Sequence, residues 1–163
     1  MRSPPPLGQM DFQYLFVSFR GRISRPIFWF GAILLLAIFL GISFAIVVQT
    51  RGIPSEIPGM LLVIVQLLLL HPACVLMVKR LHDRNRPGYF TAVLFLPLVV
   101  ERVRYLGSLF GQPERGALDY FLLGIVLAAG VWLFIELGCL PGTAGPNDYD
   151  EDPLGGVERR QVP

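Results

Sequence analysis

The chain has 163 residues, of which 53% are hydrophobic and 16% charged, with a formal net charge of +2. So small a net charge does not suggest a nucleic-acid binder that works by neutralising phosphates, and the length fits at most one compact unit. The uncharged runs are too long for a core-rich soluble domain and point to a membrane protein.

Residues 1–10 are Pro-rich, and residues 11–19 (DFQYLFVSF) mix aromatics with polar groups as an interfacial segment does. Arg20, Arg22 and Arg25 stand directly before the first apolar run. Residues 27–48 carry no charge and one hydroxyl, Ser43. As a helix they span about 33 Å, enough for a hydrocarbon core of about 30 Å. Pro26 suits a first helical turn, and Phe28 and Trp29 suit an aromatic belt. A cleaved signal peptide is the alternative, but the run is too long and further spans follow. Ala37, Gly41 and Ala45 share one face, a spacing that lets another helix approach closely.

A polar link at 49–58 leads to a second span at 59–78, which contains Gln66, His71 and Pro72, the last predicted to kink it. Residues 77–90 then gather Lys79, Arg80, Arg84 and Arg86 with a His82–Asp83 pair and a Pro87–Gly88 turn. They read as a polar loop at the cytoplasmic surface. The third span, 89–110, is short or kinked: only residues 89–100 are apolar, Pro97 interrupts them, and Glu101, Arg102 and Arg104 must snorkel to the far interface. A turn at 111–116 precedes the fourth span, 119–140, with Asp119 as its N-cap and Glu136 near its end. Gly124 and Ala128 repeat the small-residue spacing. Residues 141–163 form a turn-rich acidic tail.

The expected fold is therefore all-α and polytopic: a tail and interfacial segment (1–19), a domain of four transmembrane helices (20–140) and a cytoplasmic tail (141–163). With the N-terminus inside, ten cations (Arg2, Arg20, Arg22, Arg25, Lys79, Arg80, Arg84, Arg86, Arg159, Arg160) face the cytoplasm. Four (Arg51, Arg102, Arg104, Arg115) face outward, which favours this orientation. The runner-up has three crossings, with residues 89–100 only dipping in and the tail outside. Cys74 and Cys139 lack partners at metal-ligand spacing and are expected as free thiols.

Three motifs stand in order: FRGRISRPIFW at 19–29, RLHD at 80–83, and PGTAGPN at 141–147 running to Asp152–Pro153. Together they resemble the bacterial inner-membrane family called domain of unknown function 805, over roughly residues 12–154. Asp150 replaces the glycine usual after the tail aromatic, Pro87-Gly88-Tyr89 replaces a Ser-Gly-Trp-like turn, and the charged stretch 101–119 interrupts a typically shorter region. The resemblance implies an inner-membrane location and no known activity.

All three motifs fall on one face of the membrane in this topology. Arg20, Arg22, Arg25, Arg80, His82, Asp83, Asn147 and Asp152 are the expected binding cluster, for a membrane protein partner or anionic lipid headgroups. The tail carboxylates, Asp152 foremost, are expected to fold back onto those arginines. The rival reading is a small transporter or ion-conducting subunit using the intramembrane groups Gln66, His71 and Glu136. A lipid enzyme using His82 and Asp83 ranks third, because catalysis needs a positioned third partner. No catalytic residue, metal site or cofactor is expected: Asp148, Asp150 and Asp152 alternate like a calcium loop but lack its glycine and closing glutamate.

Overall fold

The computed structural model describes residues 11–54, 56–108 and 116–153, which are helical wherever regular, with no strand among them. The elements are α1 (Phe12–Phe16), α2 (Arg25–Gln49), α3 (Glu56–Asp83), a 3-10 turn (Gly88–Thr91), α4 (Ala92–Ser108) and α5 (Ala117–Leu133). A π-helical turn (Phe134–Cys139) prolongs α5. Three helices, α2, α3 and α5 with its turn, are long and apolar enough to cross a membrane.

Their boundaries follow capping chemistry and packing. Asp11 Oδ1 accepts from Gln13 N at 2.9 Å to start α1, and Pro26 occupies the first turn of α2, where its missing N–H costs nothing. Helix α3 runs through Pro72 and beyond residue 78 to Asp83. Residues 79–83, expected in a surface loop, are thus its last turn and place Arg80 and Asp83 on one helical face. Packing overrode polarity there, because Val75, Leu76 and Leu81 from the same turns are buried. The helix stops in a Schellman motif: Asn85 takes φ +54°, Arg86 N donates to Leu81 O at 2.9 Å, and Asn85 N to His82 O at 3.0 Å. Asp119 lies three residues inside α5 rather than capping it from outside, and its Oδ2 accepts from Gly116 N at 2.8 Å.

Helices α2 and α3 pack with Gly31 against Leu76. Helix α4 lies along α5: Phe90 meets Trp132 edge-on at 5.8 Å, and Arg104 pairs with Asp119 near the start of α5. The Tyr105 hydroxyl lies so close to Gly59 that a Cβ there would meet it at 2.8 Å. Glu101, expected to snorkel, pairs with Arg102 at 3.1 Å. The buried core of Leu15, Ile23, Phe28, Leu76, Leu81, Leu133 and Leu137 gathers at the Asp83 end of α3. Close approach occurs at Gly31 and at Gly138, where a Cβ would strike Trp29. Gly41 and Gly124, on the expected small-residue faces, have open space instead.

Candidate functional site

A helix that ends without a successor turn leaves its last carbonyls without partners. At the end of α5 those carbonyls are filled from outside, one after another. Arg80 Nε donates to Leu137 O at 2.8 Å, Trp29 Nε1 to Gly138 O at 3.1 Å, and Arg25 Nη1 to Cys139 O at 3.0 Å. Arg80 Nη2 then reaches Leu140 O and Arg84 Nη1 reaches Pro141 O, both at 2.6 Å. Cations also suit the negative end of the helix dipole. The first two motifs therefore grip the chain where the third begins.

Asp83 sits at the centre. Its Oδ1 accepts from Arg22 Nε and Nη2 at 3.2 and 3.1 Å, and its Oδ2 pairs with Arg80 Nη1. The Asp83 side chain is 4% exposed and the side chains of Arg22 and Arg80 are 1% exposed. So deep a charge must be fully hydrogen-bonded, and Arg22 is: it also donates to Thr143 O at 2.7 Å, Gly145 O at 2.8 Å and Asp150 O at 3.2 Å. The tail reciprocates by capping α3. Thr143 N and Oγ1 donate to Asp83 O at 2.8 and 3.0 Å, and Asn147 Nδ2 donates to His82 O at 2.8 Å. A Cβ at Gly142 would overlap the Asp83 carboxylate, so only glycine fits beside it.

The tail folds back on the basic motifs, and its backbone carbonyls at Thr143, Gly145 and Asp150 accept from Arg22. Asp152 Oδ2 accepts from Gly145 N at 2.9 Å and so shapes the tail's own turn. Asp150 contributes its carbonyl to Arg22, and its carboxylate raises the pKa of Tyr14, second to burial as a cause. Asn147 Oδ1 accepts from Tyr149 N at 3.0 Å, a local turn.

Of the expected cluster, Arg22, Arg80 and Asp83 meet directly, and His82 and Asn147 flank them. Arg25 holds the end of α5, and Arg20 is exposed. The His82 ring stacks on Tyr149 at 4.0 Å and 5°, with Nδ1 at 3.3 Å from Gly21 O. Both Asp83 oxygens serve arginines, so the two neighbours are not arranged as acid and base towards each other.

The intramembrane trio is scattered. Glu136 Oε1 pairs with Arg84 at 3.2 Å and Arg86 at 2.7 Å. His71 is exposed and meets Phe19 edge-on at 5.5 Å. Gln66 Oε1 is buried without a hydrogen-bond partner. Among the described residues no hydrogen bond or ion pair joins the three.

Sequence reasoning left out of the cluster Arg84 and Arg86, which hold Glu136, and Lys79, which is fully buried. Lys79 Nζ donates to Tyr14 O and lies 3.3 Å above the Tyr14 ring, fastening α1 to α3. The signal for Lys79 was its place within the run Val75–Leu81, whose other members face the core.

A family profile described as "Protein of unknown function (DUF805)" matches residues 16–151. The chain is also similar to the uncharacterized protein YiiR of Escherichia coli K12, 30% identical over 142 residues, 86% of this chain and 88% of that protein. The YiiR protein of Escherichia coli O157:H7 matches with the same figures. No solved structure matches.

Proposed function

The chain belongs to the DUF805 family of proteins of unknown function, and we propose that it is a non-enzymatic inner-membrane module whose polar end faces the cytoplasm and binds anionic lipid headgroups or a membrane protein partner. Four crossings, with both termini inside, are part of this reading. The helix packing supports them: α4 reaches from Trp132 near the end of α5 to Asp119 near its start, and Tyr105 touches Gly59 at the far end of α3. The ten-to-four division of cations supports the orientation.

One observation carries the binding role. Three motifs far apart in sequence are drawn to one end of the apolar helices, and five arginines there (Arg22, Arg25, Arg80, Arg84, Arg86) hold one short segment of chain. The buried members build the end, and the exposed ones are left to meet something else. Purification in native lipid tests it, followed by mass spectrometry of what stays bound to the wild type and to the double variant Arg20→Glu, Arg86→Glu. A defined lipid or protein is expected with the wild type and lost from the variant. Equal retention by both would reject a binding face at this end.

The second reading, transport, draws on Gln66 Oε1 and Ser43 Oγ, buried without partners within the apolar helices α3 and α2. Ion or solute flux in proteoliposomes that disappears in Gln66→Leu with the fold intact would favour it.

A further inference from the structure

The charges at the polar end are sorted. Within the described residues its acids outside the arginine clasp lie on α1's start and on the tail: Asp11, Asp148, Asp150, Glu151 and Asp152. The arginines lie around the last turn of α5, where Glu136 is the one carboxylate on the turn itself. Counted with Arg20 and Lys79 against Asp83, Glu136 and those five acids, the polar end is neutral, with seven charges of each sign, so the cationic character around the α5 turn comes from the sorting alone.

The arginines are unevenly available. Arg22 and Arg80 are buried and spent on Asp83 and carbonyls. Arg25 is exposed and spends one bond on Cys139 O. The Arg86 side chain is 45% exposed and pairs with Glu136 at 2.7 Å. Arg25 comes to the turn from α2 and Arg86 from the segment after α3, so the two form an open cationic collar. Apolar surface adjoins it: Phe134 and Ile135, directly before Glu136, are exposed, and Phe134 meets Trp29 at 5.6 Å. Cations next to exposed aromatic and aliphatic side chains match a phospholipid, phosphate to the guanidinium groups and acyl chains to the apolar flank.

We infer that Arg25 and Arg86 form a collar that selects anionic phospholipids, taking the headgroup phosphate, with Phe134 and Ile135 against the acyl chains. This rests on the proposed reading and narrows it: the polar end's ligand is a lipid and its contact is the collar, while the clasp of Arg22, Asp83 and Arg80 stays closed. Glu136 then competes with the phosphate for Arg86 and limits affinity.

Trp29 lies beside the collar, since its Nε1 bonds Gly138 O and its ring meets Phe134 at 5.6 Å. The full chain is reconstituted in phosphatidylcholine vesicles containing phosphatidylglycerol or phosphatidylcholine brominated on the acyl chain, and tryptophan quenching is read. Brominated phosphatidylglycerol is expected to quench more at equal mole fraction. The relative association constant should fall roughly fivefold in Arg25→Gln, and by a smaller factor in Arg86→Gln, which already shares its charge. Glu136→Gln should raise it. Equal quenching by the two lipids in the wild type, or a preference unchanged in the double glutamine variant, overturns the inference. Should that variant lose its fold, high salt and Glu136→Gln decide, since a preference that salt leaves untouched and Glu136→Gln does not raise also overturns it. Displacement by millimolar inorganic phosphate would assign the collar to a soluble anion and overturn the lipid. Thiol labelling of exposed Cys139 in inverted and right-side-out cell vesicles separates the two levels. Labelling from outside would refute the cytoplasmic reading even if the lipid preference held.

Discussion

Arg22 and Asp83 stand 61 residues apart in the chain, yet two nitrogens of the Arg22 guanidinium share Asp83 Oδ1 at 3.1 and 3.2 Å in a site that excludes solvent. Arg80 takes the other oxygen. Removing the carboxylate leaves two buried guanidinium groups facing each other with no counter-charge. Asp83→Asn is expected to cost about 3–5 kcal/mol, the range for breaking a buried pair from one side. Arg22→Lys should also destabilise, because an ammonium cannot reproduce the fork that reaches Asp83 and three tail carbonyls at once. Thermal unfolding in detergent measures both, and wild-type stability in Asp83→Asn would show that the clasp is incidental.

Glycine positions separate crowded from open sites. Gly142→Ala drives a methyl group into the Asp83 carboxylate, and Gly138→Ala drives one into Trp29. Each should cost about 1–3 kcal/mol, as overpacking does. Gly41→Ala and Gly124→Ala meet nothing within 4 Å, so the folded monomer should keep its stability. If Gly41→Ala or Gly124→Ala destabilises as much as Gly142→Ala, a second helix occupies that face in the membrane. The same unfolding assay ranks the four variants.

The helices were readable because an uncharged run of membrane length has few alternatives, and α2 lies where residues 27–48 predicted it. The last turn of α3 was not, because Lys79, Arg80 and Asp83 look like surface residues until their partners arrive from residues 14, 22 and 137–140. The three motifs were visible in sequence as a group. The arginines' partners were not, because backbone carbonyls have no sequence signature and a π-helical turn leaves none. Small-residue spacing does not locate the contacts within the chain for a related reason: it records that close approach is tolerated, while Gly31 and Gly138 show where it happens in this fold.

Glu136 is held by Arg84 and Arg86, with its own side chain 7% exposed. Glu136→Gln keeps an acceptor for both arginines, whereas Glu136→Leu leaves Arg84, 19% exposed, with no side-chain partner. Leucine is therefore expected to destabilise by more than glutamine, with the larger loss on the order of 2 kcal/mol. Unfolding of the two variants side by side checks the order. Selective loss of ion flux in a stable Glu136→Gln protein would instead give the carboxylate a transport role.

The docked tail should be trapped by a short crosslink. Asp148 N donates to Asn85 Oδ1 at 3.3 Å, and both residues are exposed, so neither contributes to the core. Cysteines at positions 85 and 148, with Cys74 and Cys139 replaced, should crosslink in membranes through a short bismaleimide. A pair at positions 52 and 148 should not, because residue 52 follows the opposite end of α2. Absence of the 85–148 product in folded protein would mean that the tail is free and that the arginines find other acceptors.

Crossing number is the last test. Helix α4 has only 17 residues and carries Glu101, Arg102 and Arg104, so length and composition alone do not make it a span. Its contacts argue otherwise. Phe90, just before it, meets Trp132, and Arg104 meets Asp119 at the opposite end of α5. With Tyr105 against Gly59, its charged turn lies level with the far ends of α3 and α5, where snorkelling to the headgroups is short. On the proposed topology α4 crosses beside α5. Reporters fused after residue 163 and within the α2–α3 link at Gly52 should therefore read cytoplasm and periplasm respectively. A periplasmic C-terminus with a periplasmic Gly52 would mean three crossings and would part the tail from Arg22 and Arg80, whereas a periplasmic C-terminus with a cytoplasmic Gly52 would invert the whole bundle against the positive-inside rule.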